Sequence, residues 1–233
     1  HTPEVYQGTL KEVRFHGDIL SQVLKGGLPS GLQTSIISIS NVVIQANINA
    51  FGSAAMAGCG AYQKLDGFVF LPIVCFSMAL TTFVGQNIGA RRKDRVKQGV
   101  LFGVVCTLIL AVLVGIVIYR FAPFLISLFG VDDIAIRSGV TWARIVAPFY
   151  MLLSFSHVSA GILRGAGKST VPMFVMLGCW CLVRIVYVSV ITSFIPEIAT
   201  IFWAYPITWG LSSMLFAFYL LKVDWTSGGV IGA

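Results

Sequence analysis

Long apolar runs broken by short polar turns organise this chain. Six stretches, at about 28–51, 54–86, 98–119, 138–161, 171–194 and 198–221, are predominantly apolar over some twenty residues or more. Crossing the ~30 Å hydrocarbon core takes about 20 residues of helix, and lipid offers no other partner for the backbone amides, so each run predicts a transmembrane helix. Alternation with period 2 is absent, and the runs exceed the ~10 residues of a barrel strand, which excludes an outer-membrane barrel. The fold class is therefore an all-α integral membrane protein with six spans, at residues 28–222. Polar positions inside the first run also have a period. Ser30, Thr34, Ser38, Asn41, Gln45 and Asn49 follow one another at steps of 4, 4, 3, 4 and 4, which places them on one face of a helix. Such a stripe in lipid either bonds to neighbouring helices or lines a water-filled cavity. Its unbroken length favours the cavity, because a helix contact needs only one or two such residues.

Composition agrees with a lipid environment: 57% of residues are hydrophobic and 11% charged, with a mean hydropathy of +0.87, against about 25% charge in a soluble domain. The distribution of charge then sets orientation. The second run ends in the turn Gly85-Gln86-Asn87-Ile88-Gly89-Ala90 followed by Arg91, Arg92, Lys93, Arg95 and Lys97. If the chain enters from the inside, eleven of the Lys and Arg residues (11, 14, 25, 91, 92, 93, 95, 97, 164, 168 and 222) fall inside and only Arg120, Arg137 and Arg144 outside. Short cationic loops stay cytoplasmic, so both termini are expected in the cytoplasm and the protein in a plasma membrane, the inner membrane of a bacterium. The net charge of +7 is spent on these loops and on lipid headgroups, and no basic domain remains for nucleic acid. Residue 1 is His, and nothing before Leu28 has the order of a signal peptide, so a front portion is expected to be missing. Residues 1–27 read as a cytoplasmic linker or amphipathic interfacial helix. Residues 223–233 read as a short cytoplasmic tail, disordered by composition.

Chemistry-bearing residues are few. Leu163-Arg164-Gly165-Ala166-Gly167-Lys168 closes the fourth run much as residues 84–90 close the second, a parallel that hints at related halves, spans 1–3 and 4–6. Gly167-Lys168-Ser169-Thr170 ends like a phosphate-binding loop, but the required Gly five places earlier is Ile162 and no strand precedes it, so ATP binding is excluded. Cys59, Cys75, Cys106, Cys179 and Cys181 lie in apolar runs and read as free thiols packed as small hydrophobes. With no metal site, catalytic triad or carboxylate pair, the chain is not expected to be an enzyme. Three titratable groups inside spans stand out: Asp66, one helical turn after Tyr62; Arg184, at a depth from which it could pair with Asp66; and His157, either a structural imidazole or a proton relay. Intramembrane ionisable groups are costly and mark either locked helix pairs or ion and substrate pathways.

Several of these segments together resemble the multidrug and toxin extrusion (MATE) transporters. The resemblance is carried by Gly27-Leu28-Pro29-Ser30-Gly31, Lys64-Leu65-Asp66-Gly67-Phe68 with Pro72, Thr82-Phe83-Val84-Gly85-Gln86-Asn87-Ile88-Gly89-Ala90, and Gly161 to Gly167 with Pro172. It implies one lobe, the C-terminal one, of a two-lobe, twelve-helix antiporter that exports cationic or amphipathic organic compounds and drugs in exchange for sodium ions or protons. The partners it implies are those compounds, the bilayer and a missing N-terminal six-helix lobe, with a coupling ion in place of any cofactor. Thr34, Ser38, Asn41, Gln45, Tyr62 and Asp66 would line this lobe's half of the cleft. Some relatives place a Glu in the span matching 28–51 and an Asp in that matching 138–161; neither span here holds a carboxylate. Others carry the essential acid in the other lobe, which would make Asp66 a supporting residue. Two alternatives remain: an inactive membrane fragment or assembly module, and a lipid-linked or polysaccharide flippase. The flippase calls for a cavity rich in cationic side chains, which these spans are expected to lack.

Overall fold

The structure, a computed structural model, describes residues 17–227. Among these it contains helices and no strand. Helix α1 runs Gly17–Asn49, α2 Ser53–Gly89 and α3 Lys93–Ser127. The fourth span comprises α4 (Asp133–Val146) and α5 (Tyr150–Gly165), joined by a 3₁₀ turn at Ala147–Phe149. Pro148 lies in that turn, where its missing N–H and fixed φ break the regular ladder. In the fifth span α6 (Thr170–Met176) and α7 (Arg184–Phe194) flank a π-helical turn at Leu177–Val183, and α8 (Ile198–Lys222) forms the sixth.

Five of the six rods are long and apolar enough to cross a bilayer; α1 has the length, but its polar face lowers its hydropathy. The helices overrun the apolar runs. At 33 to 37 residues, α1, α2 and α3 are ~50 Å long, well beyond the hydrocarbon core. The described part of the lead-in, residues 17–27, is helical and continuous with the first span, whereas residues 1–16 lie outside the described structure. In the tail, Asp224 Oδ1 accepts from the Thr226 amide and hydroxyl at 3.1 and 2.6 Å, closing a short 3₁₀ turn at Trp225–Ser227. The side chain of Trp225 packs against the core, and the rest of the expected tail, residues 228–233, lies outside the described structure.

Small residues set the helix spacing, as they commonly do in lipid, where no hydrophobic effect pulls helices together. Helix α2 lies at the centre, against α3, α4 and α5. A Cβ added to Gly58 would strike the carbonyl of Ala135, and one on Gly139 would fall 2.6 Å from the Gly58 oxygen. Where α2 meets α5, Thr81 Oγ1 donates to the Gly161 carbonyl at 2.9 Å and Ser77 Oγ to the His157 carbonyl at 2.7 Å.

The two resembling turns share a geometry. Arg91 and Gly167 both take left-handed backbone, with φ of 58° and 76°. Each is followed by a residue whose N–H bonds back to the last turn: Arg92 to the Asn87 carbonyl at 2.8 Å and Lys168 to the Leu163 carbonyl at 2.9 Å. This is a common helix ending. It closes the second and fourth spans, whereas a three-plus-three repeat would pair the second with the fifth, so the likeness of the turns is local and does not support related halves.

Candidate functional site

Breaks in the helices place the polar groups of the interior. Tyr62 and Asp66, four apart on α2, share a face, and the 3₁₀ turn at Pro148 brings Tyr150 over them. The Tyr150 hydroxyl donates to Asp66 Oδ1 at 2.8 Å, that of Tyr62 lies 3.1 Å from the same oxygen, and the two hydroxyls are 2.7 Å apart. Both tyrosines are fully buried, while Asp66 is half-buried and open to two cavities.

The larger cavity, of 880 Å³, runs between α1, α2, α5, the fifth span and α8; the smaller, of 430 Å³, lies beyond it. Asn41, Gln63, Asp66 and Tyr205 line both, so Asp66 stands where they meet. Ser30, Thr34, Ser38 and Asn41 of the polar stripe line the larger one and Gln45 the smaller. Thr34 and Ser38 bond only within their own helix, to the carbonyls of Ser30 and Thr34 at 3.0 and 2.9 Å. Gln45 donates to Asn49 Oδ1 at 2.8 Å and accepts from Gln63 at 2.9 Å. Besides that Gln63–Gln45 contact with α2, α1 bonds to the fifth span from a different face: Ser40 Oγ donates to the Trp180 carbonyl at 3.0 Å and the Gln33 amide to the Met176 sulfur.

Asp66 and Arg184 line one cavity but form no ion pair. Arg184 is 2% exposed; its Nη2 donates to Thr208 Oγ1 at 2.9 Å and its guanidinium lies 4.5 Å from the Tyr205 ring centroid and 5.3 Å from that of Trp180. His157 is wedged edge-on between Phe70 and Trp180, at 4.7 and 5.2 Å between ring centroids, and its Nε2 has no hydrogen-bond partner. No donor or acceptor links it to Asp66 among the described residues. Lys64 is exposed and lines neither cavity. The expectation of a cavity poor in cations needs correction: Arg164 and Arg184 both line the larger one, with Asp66 its only acid among the described residues. Arg164 was counted with the loop charges because it sits one residue before the end of α5, but its guanidinium turns back toward α2, 3.4 Å from Ser77 Oγ.

Three residues of the site escaped the sequence reading. Tyr150 carried one signal, a hydroxyl-bearing ring two residues after an intramembrane proline. Trp180 and Tyr205 carried none, because aromatic side chains in an apolar run are indistinguishable from core. The π turn, a feature frequent at functional sites, presents Trp180 and Arg184 to the same cavity.

A bundle of membrane-crossing helices around a cavity that holds polar groups and a central carboxylate has the make-up of a transporter. The MatE family model matches residues 29–190, and the chain belongs to that family. It is 30% identical over 145 residues to the probable multidrug resistance protein YpnP of Bacillus subtilis, covering 62% of this chain and 33% of that protein. It is also 30% identical over 155 residues to the probable multidrug resistance protein NorM of Thermotoga maritima, covering 66% of this chain and 33% of that one. An outward-facing multidrug resistance MATE family transporter of the MOP superfamily superposes with a TM-score of 0.83 at 20% identity, over 89% of this chain and 46% of that one. A MOP superfamily transporter from Pyrococcus furiosus superposes at 0.81 and 18% identity, over 91% and 48%. The chain thus matches between a third and a half of the length of these proteins.

Proposed function

We propose that this chain is one lobe of an ion-coupled antiporter that exports amphipathic organic compounds, and that it works with a second six-helix lobe across a shared cleft in a bacterial inner membrane, both termini cytoplasmic. The observation that carries the reading is Asp66, a carboxylate held by two tyrosine hydroxyls at the junction of two cavities. A carboxylate on the wall of an open cavity can take up a sodium ion or a proton in one state and give it up in another, which is what antiport needs. Thr34, Ser38, Asn41 and Gln45 supply the wet wall opposite. The names of the relatives, multidrug resistance proteins, support drug-like cargo, and their length supports a second lobe. Amphipathic cargo would find in the larger cavity the Asp66 carboxylate and the apolar faces of Phe70 and Trp209.

A flippase for phosphate-bearing lipid-linked cargo is a second reading, favoured by Arg164 and Arg184 on the cavity wall. Everted membrane vesicles test the first. Vesicles carrying this chain fused to a six-helix partner lobe should accumulate at least one of a panel of fluorescent amphipathic dyes of either charge when a sodium or proton gradient is imposed. Those carrying the chain alone should contain inserted protein and accumulate none. Gradient-driven uptake by the chain alone would contradict the two-lobe reading, and its absence from every fused pair would contradict export.

A further inference from the structure

We propose that this lobe binds its cargo through an anionic group, a carboxylate or phosphate, received by Arg184 between the rings of Trp180 and Tyr205. The inference rests on the export reading and names the cargo of that same cavity. Arg184 is among the largest fully buried side chains of the described residues. An arginine stays charged at any working pH, and a buried charge without a counter-ion is strongly destabilising. Among the described residues no acid balances it. Among the described residues the only carboxylate on the cavity wall belongs to Asp66, which takes both its side-chain hydrogen bonds from tyrosine hydroxyls. Of the five N–H donors of a guanidinium, one reaches Thr208 Oγ1, at 2.9 Å. Nε has no partner although it is buried.

The setting is shaped for a planar anion. The guanidinium carbon lies over both rings, 4.5 Å from the Tyr205 centroid and 5.3 Å from that of Trp180, and the donor-bearing edge of a guanidinium matches a carboxylate or phosphate fork. Thr208 fixes the group from α8. His157 Nε2, on the same cavity wall, is also buried without a partner, and Arg164 adds a second positive charge. A cavity of 880 Å³ with aromatic walls is far larger than an inorganic anion needs and lies within the range of small-molecule sites. The cargo is therefore an organic acid with an aromatic or apolar body. The net positive wall disfavours a purely cationic drug.

Binding can be measured without transport. The full chain in phosphatidylcholine nanodiscs is dialysed to equilibrium against 1-naphthoate, 1-naphthyl phosphate and 1-naphthylmethylammonium, which share a ring system and differ in charge. At least one anion should bind about tenfold or more tighter than the ammonium. Arg184→Gln should lose about tenfold of that anion's affinity and leave the ammonium unchanged, and Arg184→Lys should keep part of it. The comparison between ligands needs no variant, so a misfolded Arg184→Gln protein leaves it standing. Equal or tighter binding of the ammonium would overturn the inference, as would unaltered anion binding in a folded Arg184→Gln variant. Mixing phosphatidylglycerol into the discs should leave the anion's affinity within about twofold; competition by that lipid would make a phospholipid headgroup the occupant and overturn the soluble cargo. Dye export that persists while no anion binds sinks this inference alone, and anion binding in a protein that exports nothing sinks the export reading alone.

Discussion

Replacing Gly161 and Gly165 together with alanine should cost the bundle about 3 kcal/mol or more, the sum of two overpacked contacts at ~1–3 kcal/mol each. At Gly161 the new methyl would sit 2.5 Å from the Ser77 carbonyl oxygen and 2.6 Å from Ser77 Oγ, and at Gly165 it would strike the Thr81 carbonyl. Backbone oxygen has nowhere to go, since each belongs to the ladder of α2. The helices must separate, and separation stretches the Thr81–Gly161 and Ser77–His157 hydrogen bonds that cross the same seam. Gly178 provides the matched control, because nothing lies within 4 Å of where its Cβ would be. Gly178→Ala should be neutral or stabilise by up to ~1 kcal/mol, the helix preference of alanine over glycine. Thermal unfolding of the detergent-solubilised variants, followed by monodispersity, reads both. Equal stability of the double variant and Gly178→Ala would refute close packing along α2 and α5.

The second large effect is expected at Asp66. Asp66→Asn keeps the size of the side chain and an oxygen for the Tyr62 and Tyr150 hydroxyls, so stability should change by no more than the ~1 kcal/mol of a typical hydrogen bond. It removes the negative charge that the proposed ion coupling would use. In vesicles carrying the two-lobe protein, gradient-driven export should fall by about tenfold or more, equivalent to ~1.4 kcal/mol of lost ion binding. Asp66→Glu should retain part of it. Undiminished coupled export in Asp66→Asn would remove Asp66 from the mechanism, and a large loss of stability would make it a structural residue.

What could be read from the residues alone follows from which forces are local. Six spans, their order and their all-helical nature were legible because ~20 apolar residues between cationic turns admit no other solution in lipid. The stripe from Ser30 to Gln45 was legible as a face because period is local, and it lines the cavities. Partnerships between spans were not legible. Arg184 was matched with Asp66 from depth alone, but Tyr205 and Trp180 cover the guanidinium and Tyr62 and Tyr150 occupy the carboxylate. Arg164 was assigned to a loop from its position near a helix end, yet its side chain turns inward to Ser77. The 3₁₀ turn had Pro148 as a signal; the π turn at Leu177–Val183 contains neither proline nor polar residue and had none.

Water access to the stripe on α1 tests the central claim most directly. Cysteines are placed singly at Asn41 and at Ile39 in a chain whose five native cysteines have been replaced, and intact membranes are treated with a charged, membrane-impermeant methanethiosulfonate. Both positions are exposed in the lobe, but Asn41 lines both cavities and Ile39 lines neither. Only a thiol in water ionises to the reactive thiolate. Cysteine at 41 should be modified readily and cysteine at 39 should resist; equal modification, or the reverse order, would contradict a water-filled cavity along this face.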